Sequence, residues 1–158
     1  MVLAVIRIRS PRRKTHKIEE TLKSLGLKQV NNCTIISNDP TNKGMLNRVK
    51  DVVTWGEIEE DMLVDLLKSR SNLGEELTDD YISENTEYET LNDFVKKVKE
   101  DNASIKDLPD LENLFKLHPP RGGFRGVKKP YKTGGSLGYR GKDINILIEK
   151  MFDEVTED

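Results

Sequence analysis

Val2-Leu3-Ala4-Val5-Ile6-Arg7-Ile8-Arg9-Ser10-Pro11, at the start of the chain, is the stretch on which the fold turns. Apart from Arg7, residues Val2 to Ile8 are aliphatic and many are β-branched, and the run stops at Ser10-Pro11, so it predicts a buried strand. It is much too short to cross a bilayer and lacks the flanks of a secretion signal. Behind it, Ile18, Leu22 and Leu25 recur at helical spacing, with Thr15 placed as a cap and Gly26 as a stop. Cys33 to Ile36 predicts a second strand. Asn38-Asp39-Pro40-Thr41 is a turn opening a helix with Met45, Leu46 and Val49 on one face, and Val52 to Trp55 is a third strand stopped at Gly56. Strand, helix, strand, helix and strand in under sixty residues make an α+β core: a small split β-α-β sandwich with an antiparallel or mixed sheet and its helices on one face.

Outward from this core, residues 1–58, the chain changes character. Residues 59–112 form an acidic helical insertion: Ile58 at its border, with Met62, Leu63, Leu66 and Leu67, marks one amphipathic helix, and Leu91, Phe94, Val95 and Val98 mark another. Thr78 to Tyr88 is weakly patterned, a short helix or a loop. Residues 113–158 form a basic Gly-rich extension. It opens on a candidate edge strand, Leu114 to His118, closed by Pro119-Pro120, and ends in a helix carrying Ile144, Leu147, Ile148 and Met151. At 158 residues the three segments suit one compact unit.

The net charge of −2 conceals a strong segregation. Residues 1–58 carry a net +6, residues 59–112 a net −11, residues 113–142 a net +8 with no acid, and residues 143–158 a net −5. Such asymmetry aims basic surfaces at a polyanion and turns acidic ones away from it.

Two constellations carry the basic charge. In Arg7-Ile8-Arg9-Ser10-Pro11-Arg12-Arg13-Lys14-Thr15-His16-Lys17, cations crowd a strand end and the start of a helix, where free backbone amides also favour phosphate oxygens; the competing reading is a solvated charged turn. The second runs from Phe115-Lys116-Leu117-His118 through Arg121, Phe124, Arg125, Lys128, Lys129, Tyr131 and Lys132 to Tyr139-Arg140-Gly141-Lys142, and seven of the eleven glycines fall between Gly122 and Gly141. Glycines admit a crowded ligand, cations neutralise phosphates and aromatic rings stack on unpaired bases, a combination suited to RNA; the competing reading is a disordered linker. With so few large apolar residues, this stretch is expected not to hold itself in place without a polyanion.

Catalytic readings fare worse. Gly122-Gly123-Phe124-Arg125-Gly126 and Gly141-Lys142 lack the spacing of a phosphate-binding loop. His16 and His118 are the acid and base that an RNA-processing ribonuclease would need, the alternative function. The single cysteine, Cys33, precludes an intramolecular disulfide or a cysteine-based zinc cluster and reads as a core thiol. The acidic runs lack the pattern of a calcium loop. No catalytic residue, metal site, cofactor or small-molecule substrate is expected.

The motifs then carry a resemblance. Ile6-Arg7-Ile8-Arg9-Ser10, Thr21-Leu22-Lys23-Ser24-Leu25-Gly26-Leu27 and Asn42-Lys43-Gly44-Met45-Leu46-Asn47-Arg48-Val49 resemble the core of large-subunit ribosomal protein thirty. Phe115-Lys116-Leu117-His118-Pro119-Pro120-Arg121-Gly122-Gly123-Phe124, Lys128-Lys129-Pro130, Gly134-Gly135-Ser136-Leu137-Gly138-Tyr139-Arg140-Gly141 and Ile144-Asn145 resemble its longer archaeal form, related to eukaryotic large-subunit protein seven. The resemblance implies a ferredoxin-like fold, a cytoplasmic place in the large ribosomal subunit beside other ribosomal proteins, contacts with the large rRNA and the 5S rRNA region, and no catalysis. RNA contact is carried onto Arg9, Arg12, Arg13, Lys14, His16 and Lys17, onto Lys43 and Arg48, and onto the basic residues from His118 to Lys142. Nothing is carried onto the acidic 59–112.

Overall fold

The computed structural model of the chain describes residues 2–9, 16–70, 77–100, 114–117 and 131–152. Five strands, β1 (Val2–Arg7), β2 (Asn32–Ser37), β3 (Val53–Glu57), β4 (Phe115–Lys116) and β5 (Gly138–Tyr139), form one sheet in the order β4-β2-β1-β3-β5. β1 is antiparallel to both neighbours, with Ile6 opposite Cys33 on one side and Val5 opposite Trp55 on the other. β4 is antiparallel to β2, at the edge where Leu114 to His118 was expected, and β5 runs parallel to β3 with Tyr139 beside Trp55.

The continuous aliphatic run of β1 follows from its burial on both faces. Leu3 and Val5 pack beneath α1 (His16–Ser24) and α2 (Pro40–Val49), with Leu22, Leu25, Leu46 and Val49. Val2, Ala4 and Ile6 face a larger core built from α3 (Glu60–Arg70), α4 (Asp79–Asn85), α5 (Leu91–Lys99) and α6 (Ile144–Phe152), where Phe94, Phe115, Leu63 and Ile148 are fully buried. The two core helices lie on one face, as expected, and the apolar stripes of the acidic helices, whose docking place the sequence left open, cover the other. Each large side chain fully buried there contributes roughly 1.5–3 kcal/mol.

Local signals set the helix ends. α1 stops because Gly26, at φ +80°, takes the left-handed conformation that lets the Leu27 N–H reach the Leu22 carbonyl (2.8 Å) and its own N–H reach that of Lys23 (3.0 Å). Thr15 lies outside the described residues. Asp39 caps α2 by accepting from the Asn42 N–H (2.8 Å), with Pro40 in the first turn, and Thr90 caps α5 through the Asp93 N–H (3.1 Å). Thr78 to Tyr88, left open between helix and loop, holds α4, capped by Thr78 and tied to α5 where Asp79 accepts from the Leu91 N–H (2.9 Å).

Two expectations change. β3 runs through Gly56 to Glu57 instead of stopping at Gly56, since that glycine serves a close backbone approach by Gly141. The Gly-rich extension also holds itself down over residues 131–142, where Leu137 and Ser136 are buried, β5 joins the sheet and turns at Tyr131–Thr133 and Gly141–Asp143 flank it. Backbone pairing and a few polar anchors there replace apolar burial. Residues 118–130 lie outside the described residues.

Candidate nucleic-acid interface

The strand directions decide where the basic segments attach. β1 ends at Arg7, β2 begins opposite at Asn32, and β4 rises along β2 to Lys116, after which the Leu117 N–H bonds to the Asn31 carbonyl and the Asn31 N–H to that of Arg7. β3 starts at the same end, and β5, parallel to it, is fed from there through Ser136 and Leu137, the latter bonded by the Tyr131 N–H (2.7 Å). The chain therefore leaves for the first basic loop after Arg9, leaves for the second after Leu117 and returns beside Leu137, all at one end of the sheet.

Arg9, half-buried at that end, donates its backbone N–H to the Val52 carbonyl and its Nε to the Asp51 carbonyl (2.9 Å), and the rest of its guanidinium has no hydrogen-bond partner among the described residues. Arg7 supports the same end: its guanidinium donates to the Leu27 (3.0 Å) and Lys28 (2.9 Å) carbonyls, and its burial lowers its pKa from the ordinary arginine value. His16 and Lys17 open α1, both exposed, with His16 Nε2 2.9 Å from Glu20. Arg48 is exposed on the last turn of α2, whose C-terminal end adjoins Asp51 and Val52, while Lys43 lies on its first half, toward the other end of the sheet. Arg12, Arg13, Lys14, His118, Arg121, Phe124, Arg125, Lys128 and Lys129 lie outside the described residues.

Two of the expected contact residues are engaged within the protein. Arg140 donates its Nε to the Thr54 hydroxyl (2.8 Å) and Nη2 to the Ser136 carbonyl (2.7 Å), and its guanidinium lies 4.6 Å from the centre of the Tyr131 ring. Its burial lowers its pKa from the ordinary guanidinium value. Thr54 in turn donates to the Gly138 carbonyl (2.7 Å), and Tyr131 donates its hydroxyl to Asp143 (2.5 Å). Lys132, Lys142 and the ring of Tyr139 remain exposed, with the Tyr139 hydroxyl donating to Glu57. Among the described residues, the ion pairs are His16–Glu20 and Lys97–Glu100, so Lys17, Lys43, Arg48, Lys132 and Lys142 have no described carboxylate within ion-pair distance. Such cations are the ones able to exchange their counterions for phosphates.

The comparisons fit this arrangement. A family model described as ribosomal protein L30p/L7e matches residues 3–53, from β1 to the start of β3. A large ribosomal subunit protein uL30 of Methanopyrus kandleri is 49% identical over 138 residues, covering 85% of this chain and 93% of the relative. Its namesake in Archaeoglobus fulgidus is 46% identical over 152 residues, covering 95% and 99%, and that of Methanocella arvoryzae 38% over 150 residues, covering 94% and 98%.

The chain belongs to the uL30 family.

The uL30 relatives are named as ribosomal proteins, and the family is structural and non-enzymatic. The ribonuclease alternative has no place in it. Cys33 is fully buried, and burial pushes its thiol far up, away from the thiolate a nucleophile needs. Membership in the uL30 family covers the extension as well as the core, and there the sequence reading missed the residues that build it. Asn145, buried at the start of α6, accepts from the Glu59 N–H (2.8 Å) and donates to the Glu57 (3.1 Å) and Lys142 (2.9 Å) carbonyls. Its one sequence signal is its place in the Ile144-Asn145 motif, a polar residue within an otherwise apolar helical stripe.

Proposed function

We propose that the chain is a structural constituent of the large ribosomal subunit, in the cytoplasm, and that it binds the large rRNA near the 5S rRNA and beside neighbouring ribosomal proteins. The observation that carries this is the convergence at one end of the sheet: both basic segments are tethered there, next to Arg9 and Arg48. The core of residues 1–58 and the extension from residue 113 act together as the RNA-facing part, and the acidic helices of 59–112 cover the opposite face of β1, away from the polyanion. The names of the uL30 relatives support the subunit; the place near 5S rRNA rests on the family resemblance alone. No cofactor or small-molecule substrate enters this function.

Sedimentation of a lysate at low salt tests the assignment, since the chain should travel with the large subunit. Cross-linking within that fraction should give adducts to the large rRNA, with 5S rRNA adducts marking the finer placement. Affinity for an rRNA transcript should fall steeply with salt, the log–log slope growing by roughly 0.7–0.9 for each phosphate contacted. Recovery only in ribosome-free fractions, or a flat salt response, contradicts the proposal.

A further inference from the structure

On the α1/α2 face, at the edge where β5 borders β3, the structure has a cleft of about 350 Å³, near the lower end of the range for small-ligand sites. Its floor is sheet: Trp55 lies beside Tyr139 across the β3–β5 pair, with both side chains on the same face. One wall is α2, which contributes Lys43 and Asn47, and the far end is closed by Asn38 and Glu57. A half-buried indole and an exposed phenol side by side offer a flat apolar surface for an aromatic ring.

The Tyr139 ring is held in place. Its hydroxyl is bonded to Glu57, the preceding Gly138 carbonyl accepts from Thr54, and the following Arg140 N–H donates to the Trp55 carbonyl (2.9 Å). Yet Tyr139 is 52% exposed. The polar groups around it are selective as well. Oδ1 of Asn38 and Oε2 of Glu57, on two residues that line the cleft, are covered acceptors with no hydrogen-bond partner among the described residues. Two acceptors lacking donors suit a ligand edge that carries N–H groups. Lys43, exposed at the rim, is a cation without a described carboxylate partner, whereas Glu57 repels phosphate at the inner end.

We infer that this cleft takes one unstacked nucleotide of single-stranded RNA whose base carries an exocyclic amino group, stacked on Tyr139 against Trp55. Lys43 meets the phosphate at the rim, and Asn47, Asn38 and Glu57 bond the base edge. The inference rests on the rRNA-binding reading and deepens it, for it adds Trp55, Asn38, Asn47 and Glu57 to the contact surface. The cleft lies toward the end of the sheet opposite Arg9, and α2 joins the two, with Arg48 at one end and Lys43 at the other.

Trp55 is the chain's single tryptophan, so its emission reports on the cleft. The full chain is titrated with short oligo(A), oligo(C) and oligo(U) while Trp55 fluorescence is followed, and its affinity for a large-subunit rRNA transcript is measured separately. Oligo(A) and oligo(C) should quench Trp55 and oligo(U) should do so weakly. Asn47→Ala, at an exposed helix position that leaves the fold intact, should weaken that binding roughly threefold to tenfold. Tyr139→Ala should weaken it about tenfold or more, and Tyr139→Phe, which keeps the ring, by less. Transcript binding that persists while no oligonucleotide alters Trp55 emission overturns the cleft assignment alone. So does quenching by a ribosomal-protein peptide in place of RNA, and equal quenching by oligo(U) removes the amino-bearing base. A transcript that does not bind overturns the rRNA-binding reading and the cleft with it.

Discussion

Gly56 and Gly141 meet backbone to backbone: a β-carbon built on Gly56 collides with the carbonyl oxygen of Gly141 and sits 3.0 Å from the Cβ of Ile144. The atoms in the way are main chain and a buried α6 side chain, neither of which is free to swing aside. Gly56→Ala should therefore destabilise the fold by about 1–3 kcal/mol, lowering the melting temperature by roughly 3–10 °C for a chain of this size. A melting temperature within a degree of the parent protein would mean that the extension shifts without cost, and that the approach is incidental.

Asn145 closes the same junction from the other side, through one accepted and two donated bonds to the β3–α3 connection and the turn before α6. Replacing it by Ala removes these three part-buried hydrogen bonds and leaves the Glu59 N–H without its acceptor. Urea unfolding should show a loss of about 1–3 kcal/mol with the slope against urea unchanged. A loss below about 0.5 kcal/mol would show that water takes over the bonds.

These two residues mark where the sequence stopped being legible. Every element of the core was readable, because β1, α1, β2, α2 and β3 each carry their own period and punctuation. The apolar stripes of α3, α5 and α6 were also readable, although their docking on the far face of β1 follows from a relation between distant segments that no local pattern contains. The charge segregation pointed to a polyanion without saying which cations stay free. Arg140 and Lys132 look alike in sequence, yet one is spent on Thr54 and Ser136 and the other faces solvent. Trp55, legible in the sequence only as the end of the third strand, lines an open cleft because β5 arrives beside it.

The Tyr139 phenol gives a pH test. The hydrogen bond to Glu57, followed by desolvation and the carboxylate's charge, raises its pKa above the ordinary tyrosine value. The folded state therefore holds this proton more tightly than the unfolded chain does. The stability that the bond contributes is fully present below about pH 10 and is lost as pH rises through the elevated value. The stability difference between the parent protein and Tyr139→Phe should stay constant from pH 6 to about 9 and shrink above pH 10, while the alkaline effects of lysines and Cys33 cancel between the two. A difference that does not change through the alkaline range would mean that Tyr139 and Glu57 do not share a proton in solution.

Arg48 and Arg140 should respond in opposite ways to the same change. Arg48 is exposed, with no described carboxylate partner, so Arg48→Ala should leave the melting temperature within about a degree, as expected for a surface residue, and weaken rRNA binding, with the salt slope falling by roughly 0.7–0.9 if it meets one phosphate. Arg140 joins Thr54, Ser136 and Tyr131, and together with the Arg140 N–H on the Trp55 carbonyl these bonds hold residues 131–142 to the sheet. Arg140→Ala should therefore lower stability and let this segment open. Hydrogen exchange on the free chain reads the effect directly. The Arg140 amide, and the Tyr131 amide on the Leu137 carbonyl, should be protected in the parent protein without any RNA and exchange faster in Arg140→Ala, while the amides of β1 keep their protection. Fast exchange at Tyr131 and Arg140 in the free parent protein, with protection gained only on the ribosome, would show that RNA rather than Arg140 builds this part of the fold.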